Sequence, residues 1–441
     1  MRFVNAAAQR GRAGMDGDRR SHGLWAASAP PAPETVPLMD DDSADAVIVG
    51  AGFTGCSAAL HLAAAGRRPV VLEAAGIGFG GSGRNVGLVN AGLWIRPDEV
   101  PEAIGAPFGE RLIAQLGDAP GLVFDIVERH GIACEAVRNG TLHCAVGRQG
   151  LAEITARARQ WRRRGADVEL LHSRATAWRV GSKVYAGALL DRRAGTIQPL
   201  AYVRGLAASA IRLGARIHEH SPATGFEDLG GEWRVTTARG SVTAPWVIIA
   251  TDAYSAAICP DVKREQVMLP YFNLATRPLS AEALRSVLPG RQGAWDTRSI
   301  LSSFRLDATG RLVFGSVGAL RGTGTRIHAD WARRALARIF PRLGEVAFEH
   351  GWYGMIGMTR NAAPRLHMHG RNLVSISGYN GRGIAPGTSF GRDLARLVLG
   401  EVAPDELSLP VTRLEPARLR AAKQAFYEIG AQLAHFTASR P

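Results

Sequence analysis

From residue 45 onward, the chain alternates short apolar runs with glycine-rich turns and amphipathic stretches. The apolar run at 46–49 predicts a strand, and the residues after it predict a helix. A second apolar run at 70–72 predicts another strand that ends at Glu73. Apolar residues recur at helical spacing over 98–130, so a long helix is expected there. This order is typical of strands connected by helices.

The rest of the chain continues the alternation with a larger share of strands. Strands are predicted at 141–147, in a hairpin before 247, and at 247–250, 310–316 and 373–377. Helices are predicted at 151–166, within 199–219, near 328–343, and at 385–399 and 416–435. No internal repeat is visible in the sequence.

The distribution of these elements predicts two interleaved domains. Segments of strand–glycine–helix character are expected to form one α/β, Rossmann-like domain, at 44–130, 196–261 and 351–405. The strand-rich segments between them, 131–195 and 262–350, are expected to form an α+β domain on a mainly antiparallel sheet. Residues 1–43 predict a disordered, then extended arm, and 406–441 predict a C-terminal helix.

Composition excludes several classes of protein. Of the 441 residues, 46% are apolar and 21% are charged, as in globular proteins. No apolar run reaches the ~18 residues that a membrane-spanning helix needs, so no such span is expected. The four cysteines lie far apart, at 56, 134, 144 and 259. This spacing argues against a zinc ribbon or a disulfide scaffold and predicts a reducing, cytoplasmic location.

The net charge of +14 comes almost entirely from arginine, since only three lysines occur. The arginines are spread along the chain rather than gathered in patches with aromatic residues, so no nucleic-acid partner is expected. A global positive charge can still steer anionic ligands toward the protein. His367 and His369 have an HxH spacing, but without a third ligand nearby they predict no metal site.

Gly50, Gly52 and Gly55 stand in GxGxxG spacing between the first predicted strand and its helix. The first glycine permits a tight turn, the second lets the backbone approach a pyrophosphate, and the third lets the helix pack on the sheet. Glu73, at the end of the second strand, can accept hydrogen bonds from ribose hydroxyls and disfavours the 2′-phosphate of NADP. This block predicts a dinucleotide and leaves NAD and FAD open.

A glycine-rich loop at 76–92 follows Glu73, where an NAD-binding domain would continue to another helix and strand. Such a loop can lie against a flat ring system, with Arg84 near pyrophosphate or ring oxygens and Asn85 at the ring edge. Farther along, the strand at 373–377 leads through a second glycine turn into a helix. The positive end of that helix would stabilise negative charge on a reduced flavin. Both features favour FAD.

Several longer motifs resemble one family. VIVGAGFTG, GIGFGGSGRNVG, VIIATDAYS, WYGMIGMTRNAAPRL and SGYNGRGIAP are similar to motifs of the FAD-dependent D-amino-acid oxidase (DAO) superfamily, in particular its γ-glutamylputrescine oxidoreductase-like branch. The resemblance implies an FAD-dependent amine or amino-acid oxidoreductase whose Rossmann-like FAD-binding domain is of the GR2 type. In such an enzyme the C–N bond of a primary or secondary amine is oxidised by hydride transfer to flavin N5, and water hydrolyses the imine.

Departures from the family pattern refine these expectations. No cysteine follows Cys259 and no histidine lies between His61 and His130, so the residues that attach flavin covalently in some relatives are missing and non-covalent FAD is expected. The family match places Val313 where sarcosine-oxidase-like relatives carry a lysine that helps oxygen react. A dehydrogenase that passes electrons to a quinone or an electron-transfer protein is therefore an alternative to an oxidase, and a flavin-binding subunit without its own turnover is another.

The predicted site contains no catalytic triad, because in flavin chemistry the protein mainly positions the substrate. The predicted FAD contacts are Gly50, Ala51, Gly52, Phe53, Thr54, Gly55, Glu73, Ala74, Ser82, Gly83, Arg84, Asn85, Gly87, Leu88, Ala223 (from the family pattern), Thr251, Gly378, Asn380, Gly381, Gly383 and Ile384. The candidate substrate contacts are Arg305, Trp352, Tyr353, Arg360 and Tyr379. The expected partners are a small-molecule amine and an electron acceptor, either O2 or another.

Overall fold

The computed structural model describes residues 22–255 and 258–438. The helices are α1 (Leu24–Ser28), α2 (Phe53–Ala64), α3 (Val100–Ile104), α4 (Ala106–His130), α5 (Gly147–Arg163), α6 (Ser173–Val180), α7 (Pro199–Arg212), α8 (Pro260–Glu265), α9 (Ala281–Leu284), α10 (Gly324–Ile339), α11 (Ile384–Val398) and α12 (Arg420–Thr437).

The strands are β1 (Asp42–Ser43), β2 (Ala46–Val49), β3 (Pro69–Leu72), β4 (Leu88–Val89), β5 (Thr141–Ala145), β6 (Val168–His172), β7 (Gly187–Asp191), β8 (Gly195–Thr196), β9 (Arg216–His218), β10 (Gly225–Asp228), β11 (Trp233–Thr236), β12 (Ser241–Ala244), β13 (Val247–Ile249), β14 (Val267–Pro278), β15 (Gly293–Asp296), β16 (Ser302–Leu306), β17 (Arg311–Val317), β18 (Phe348–Met358), β19 (Arg365–Gly370) and β20 (Leu373–Ser377).

A six-stranded sheet of order β19-β20-β13-β2-β3-β9 forms the centre of the nucleotide-binding part. The strands from β20 to β9 run parallel, and β19 is antiparallel at one edge. β2, β3 and β20 are buried along their whole length. For β2 and β3 this burial explains why the segments are continuous apolar runs rather than alternating ones. The sheet therefore joins strands from all three predicted nucleotide-binding segments.

An eight-stranded sheet of order β18-β14-β17-β16-β15-β5-β7-β6 forms the second part. All its neighbouring strands are antiparallel except β15 and β5. One face carries the core that contains Phe272, Phe304 and Phe314, together with residues of α10. Side chains of the opposite face, such as Val313 and Trp352, belong to the core shared with the helices of the nucleotide-binding part. The predicted mainly antiparallel sheet is confirmed.

The predicted boundary at residue 351 falls inside a strand. β18 continues to Met358 and pairs with β14 from Thr276↔Phe348 to Val267↔Met358. Residues 351–358 thus belong to the eight-stranded sheet, not to the nucleotide-binding domain, because the long β14 offers backbone partners over the whole segment.

The N-terminal arm contains an element that the sequence analysis did not predict. Residues 22–43 include the short helix α1, and its Trp25 is completely buried, with ring contacts to Trp352. The Trp25 indole N–H donates to the carbonyl of Asn85 over 2.8 Å, so the arm fastens the glycine-rich loop. Residues 1–21, also predicted to be part of this arm, lie outside the described residues.

Candidate active site

The three predicted nucleotide-binding segments converge at one edge of the six-stranded sheet. β13 lies between β2 and β20, and the three strands are parallel and in register. Gly50, Thr251 and Gly378, which follow these strands closely, are therefore brought to the same edge. Carboxyl ends of parallel strands are where dinucleotides bind in such sheets.

The first glycine turn has the geometry that its motif predicts. Gly50 has φ of 105°, a region that residues with a Cβ rarely adopt. A Cβ on Gly55 would lie 1.9 Å from the carbonyl oxygen of Gly50, so only glycine lets α2 approach the turn this closely. The Phe53 amide donates to the Ser82 hydroxyl over 3.0 Å, which ties the start of α2 to the following loop.

Glu73 closes the first turn from the neighbouring strand. Its carboxylate accepts the backbone N–H groups of Ala51 over 2.7 Å and of Ala75 over 2.9 Å. Burial raises the pKa of this carboxyl group. The backbone of Ser221 donates to the Glu73 carbonyl over 2.8 Å, which brings the segment that contains Ala223 beside the same strand end.

A second carboxylate near Glu73 was missed by the sequence analysis. Glu219 directly follows β9 and accepts the Ile77 amide over 2.6 Å and the Thr35 hydroxyl over 2.7 Å. The available signal was an acidic residue directly after a predicted strand. Such a residue could not be assigned to this site from the sequence, because the order of the strands in the sheet was not known.

The loop at 76–92 is fixed by contacts with the eight-stranded sheet. The carbonyl of Arg84 accepts the side-chain amide of Asn273 and the indole N–H of Trp352, each over 3.0 Å. The Arg84 guanidinium lies over the Phe79 ring, with 4.4 Å to its centroid. Trp352 therefore contacts the loop backbone, which favours a positioning role over direct contact with a substrate.

Asn85 uses its side chain within the loop itself. Its amide nitrogen donates to the carbonyls of Gly81 over 3.0 Å and Ser82 over 2.9 Å, and its amide oxygen accepts the Gly87 N–H over 2.9 Å. These bonds shape the loop and occupy the groups that were expected to meet a ring edge. Leu88, the next predicted contact, begins β4 and pairs with Thr196.

The second glycine turn is held by Asp252, a residue that the sequence analysis did not single out. The Asp252 carboxylate accepts the Gly378 N–H over 2.7 Å and so links the segment after β13 to the turn after β20. Burial raises the pKa of Asp252 to about 6. Asn380, at φ of 53°, accepts the Thr359 amide over 2.8 Å and fixes the next part of the turn.

Helices α2 and α11 begin beside each other, at the two glycine turns. The Thr54 hydroxyl and the Tyr379 hydroxyl are 2.5 Å apart, and a Cβ on Gly391 would lie 2.5 Å from the Thr54 carbonyl oxygen. Neither helix carries an acidic residue in its first turn, and neither N-cap residue supplies a side-chain cap. Two adjacent, positive helix ends without acidic residues suit an anionic dinucleotide.

The five candidate substrate residues are not gathered in one place. Arg305 is 1% exposed and donates to the backbone carbonyls of Ile197 and Leu306, with Glu135 at 3.7 Å. Tyr353 pairs with Phe272 and packs against the core on the opposite face of the sheet from Trp352.

Arg360 and Tyr379 also lie in different surroundings. Arg360 is exposed just after β18. Tyr379 is buried in the second glycine turn, where its hydroxyl is engaged by Thr54. These placements favour structural roles for Arg305, Tyr353 and Tyr379.

A small internal cavity lies where the eight-stranded sheet meets the second glycine turn. Its free volume is about 20 Å3, and His143, Trp295 and Arg382 are among its lining residues. The sequence analysis did not single out these residues, because they come from distant segments. Arg382 lies within the SGYNGRGIAP motif, between Gly381 and Gly383, whereas His143 and Trp295 belong to none of the quoted motifs.

The residues at the sheet edge fit FAD. They provide a strand-end carboxylate at Glu73, two glycine turns with close backbone approach, and two helix N-termini without acidic residues in their first turns. Within residues 22–255 and 258–438, no group of three or more metal-ligating side chains exists. In the same part of the chain, no helix combines the length and the apolar character needed to cross a bilayer.

Comparisons with known proteins agree with this geometry. A family model described as "DAO: FAD dependent oxidoreductase" matches residues 45–397. Gamma-glutamylputrescine oxidoreductase of Escherichia coli is 34% identical, over 82% of this chain and 85% of that protein. A probable oxidoreductase, OrdL, of Haemophilus influenzae is 30% identical over 83% of this chain and 85% of that protein. The crystal structure of glycine oxidase from Geobacillus kaustophilus is similar in fold, with a TM-score of 0.69, 21% identity, and coverage of 84% of this chain and 99% of that one.

Proposed function

Because this chain belongs to the DAO family of FAD-dependent oxidoreductases, we propose that it oxidises the C–N bond of an amino acid or an acylated polyamine. The coarser activity is established: the protein is an FAD-dependent oxidoreductase that acts on amines or amino acids. The similarity to gamma-glutamylputrescine oxidoreductase supports the acylated polyamine. The observation that carries the proposal is the convergence of the two glycine turns beside the face of the eight-stranded sheet.

The chain's residues have a positioning role in this reaction. The chemistry that FAD supplies when bound is hydride acceptance at N5. The N-terminus of helix α11 lies at the second glycine turn, where its first N–H groups would stabilise the negative charge of the reduced flavin. Asp252 and Asn380 hold that turn in place. The eight-stranded sheet covers the other side and orients the neutral amine, and water hydrolyses the imine product.

Anaerobic titration tests this proposal directly. Under anaerobic conditions, purified protein is titrated with a panel of amino acids, γ-glutamylputrescine and simple amines. The flavin absorbance at about 450 nm is followed. Loss of the band with one substrate class supports the proposal, and free FAD with the same amines is the control. An intact band with the whole panel would contradict it and favour a flavin-binding subunit without turnover of its own.

A dehydrogenase is the second candidate, and one observation favours it. Val313 is completely buried in β17, on the face shared with the nucleotide-binding part. The family match places Val313 where oxygen-reactive relatives carry a lysine, and the only lysines of the chain are Lys183, Lys263 and Lys423. The rate at which air reoxidises the reduced protein distinguishes an oxidase from a dehydrogenase. Stoichiometric hydrogen peroxide would contradict the dehydrogenase, and slow reoxidation that a quinone accelerates would support it.

A further inference from the structure

We propose that the outward face of α12 binds the surface of a membrane that contains anionic lipids. This inference goes beyond the proposed function and does not depend on it. In this arrangement α12 lies on the bilayer and does not cross it, since no helix within residues 22–255 and 258–438 has the length and apolar character of a membrane span.

The outward face of α12 is apolar and open to solvent. Phe426 is 72% exposed, Ile429 58% and Leu433 59%, and their spacing of three and four residues places them on one side of the helix. Leu419, which directly precedes α12, is 77% exposed. Single exposed apolar residues are common on proteins, but several large ones on one side of a helix indicate an interaction surface.

The polar side of α12 faces the protein. The Glu428 carboxylate accepts two hydrogen bonds from the Arg321 guanidinium, over 2.8 and 2.5 Å. His435 is buried and lies 2.7 Å from His328, measured between the two Nδ1 atoms. A helix on a protein surface usually buries its apolar side and exposes its polar side. Because α12 has the reverse orientation, its apolar side needs a surface that lies outside the folded chain.

Basic side chains lie at the start of this helix. Arg418 and Lys423 are exposed, and Lys423 lies within the first turn of α12. The Ala417 N–H donates to the Arg264 carbonyl over 2.9 Å, which brings the last turn of α8, with Lys263, beside the start of α12. The apolar face thus begins in a basic region of the surface.

The charge balance of this region is positive. Between residues 411 and 437 the sequence has four basic and two acidic side chains, and one of the acids, Glu428, is bound by Arg321. The net charge of the whole chain is +14. A positive surface around an apolar face is complementary to anionic lipid headgroups, which attract juxtaposed lysine and arginine residues.

A second copy of this chain fits the face less well. α12 has 18 residues, so it is about 27 Å long and about 10 Å wide, and its outward face covers roughly 300 Å2. A stable dimer buries about 800 Å2 on each partner. Symmetric pairing would therefore extend into the surrounding basic surface and bring like charges of the two copies together.

The parts of the chain outside the described residues do not match the face either. Residues 1–21 carry five arginines and two aspartates, and residues 439–441 are Ser, Arg and Pro. Neither segment combines the negative charge and the apolar side chains that would complement a basic, apolar surface.

A bilayer surface offers both properties that the face requires. Interfacial helices insert their apolar side at the boundary between headgroups and acyl chains, where Phe426, Ile429 and Leu433 would be buried. Anionic headgroups at the same level would attract Arg418 and Lys423. The remaining side of α12 would stay packed on the protein, so binding requires no rearrangement of the fold.

Binding to vesicles tests the proposal. The FAD-loaded protein is mixed with vesicles of phosphatidylcholine alone, or of phosphatidylcholine with phosphatidylglycerol, and the bound fraction is measured by flotation. We expect partitioning onto the anionic vesicles to be at least about tenfold stronger than onto the neutral ones, and to weaken as salt is added. Absence of binding of the native protein to the anionic vesicles would overturn the proposal.

Substitutions on the outward face separate the effect of α12 from that of the whole protein. The double variant Phe426→Gln, Leu433→Gln should bind the anionic vesicles at least about tenfold more weakly than the native protein. Trp178→Gln is the matched control, because it removes a side chain of α6 that is 70% exposed, and it should bind like the native protein. Arg418→Gln with Lys423→Gln should reduce binding to the anionic vesicles only. Unchanged binding of the Phe426, Leu433 variant would overturn the proposal.

Sedimentation without lipid tests the competing occupant. The native protein and the double variant of Phe426 and Leu433 are compared at equal concentration, and the spectrum of the bound flavin confirms that both are folded. Equal masses support the proposal. A native dimer that dissociates in the variant would assign the face to a second copy and overturn the proposal. None of these measurements needs an amine substrate, so a failure of the proposed function would leave them unaffected.

Discussion

The crossing of α2 and α11 predicts a sharp effect of a single methyl group at Gly391. A Cβ at this position would lie 2.5 Å from the Thr54 carbonyl oxygen and 2.6 Å from Ser57 Cβ. Ordinary contacts between carbon atoms are about 3.5–4.0 Å, so Gly391→Ala requires the helices to separate by about 1 Å. The nearest obstacle is backbone, which cannot rotate away.

The magnitude follows from a matched comparison with Gly430, a glycine of α12 that has no atom within 4 Å of an added Cβ. Replacing either helical glycine by alanine gains about 1 kcal/mol of helix propensity. Overpacking costs about 1–3 kcal/mol and applies only to Gly391. Gly430→Ala should therefore be slightly more stable than the native protein, and Gly391→Ala about 1–3 kcal/mol less stable than Gly430→Ala.

Chemical denaturation of the apo proteins measures this difference, and FAD titration measures its functional consequence. Because Gly391 sets the spacing of the two helices that begin at the glycine turns, we expect about a tenfold weaker FAD affinity in Gly391→Ala and no change in Gly430→Ala. Equal stability and equal FAD affinity of the two variants would refute the account of this helix crossing.

Three further predictions concern two single side chains and one pair of side chains among the described residues. In Glu73→Gln an amide N–H donor replaces one of the two carboxylate oxygens that accept backbone N–H groups, and the negative charge is lost. FAD binding should therefore weaken by at least about tenfold in a fluorescence titration, and an unchanged Kd would contradict the assigned role. Burial raises the pKa of Asp252 from 3.8 to about 6, so this group destabilises the fold as pH rises from about 4 to 6, and Asp252→Asn should gain up to about 3 kcal/mol relative to the native protein at pH 8 but not at pH 4. His328 and His435 contact each other through their Nδ1 atoms at 2.7 Å, and burial lowers the pKa of both, so stability should fall as pH drops below about 6.5. In urea unfolding, replacing both histidines by glutamine should reduce the loss of unfolding free energy at low pH. An equal loss in the native protein and in the double variant would contradict the prediction.

Much of the nucleotide-binding part was predictable from the sequence, because its turns and close helix contacts require particular residue types at particular positions. A turn with φ of 105° at Gly50, and the close approach of α2 at Gly55, each call for one residue type at one position. Such demands appear directly in the sequence as a glycine spacing. The fold class and the cofactor followed from these positions and from the family resemblance, and both are confirmed.

The substrate side could not be predicted in the same way, because it depends on register and on distant partners. Trp352 and Tyr353 are neighbours in sequence, yet they point to opposite faces of β18, and only pairing with Asn273 and Phe272 decides which face is which. Arg305 looked available for a substrate, but its partners lie far away in sequence.

The sequence by itself indicated which segments turn tightly and which are buried, and together with the family resemblance it predicted FAD as the cofactor. Only the tertiary structure decided that Asp252 links two strand ends and that His143, Arg157, Trp295 and Arg382 share one cavity. The physical reason is that local backbone conformation is set mainly by residues adjacent in sequence. The role of a buried charged group, in contrast, depends on the side chains that tertiary packing places around it.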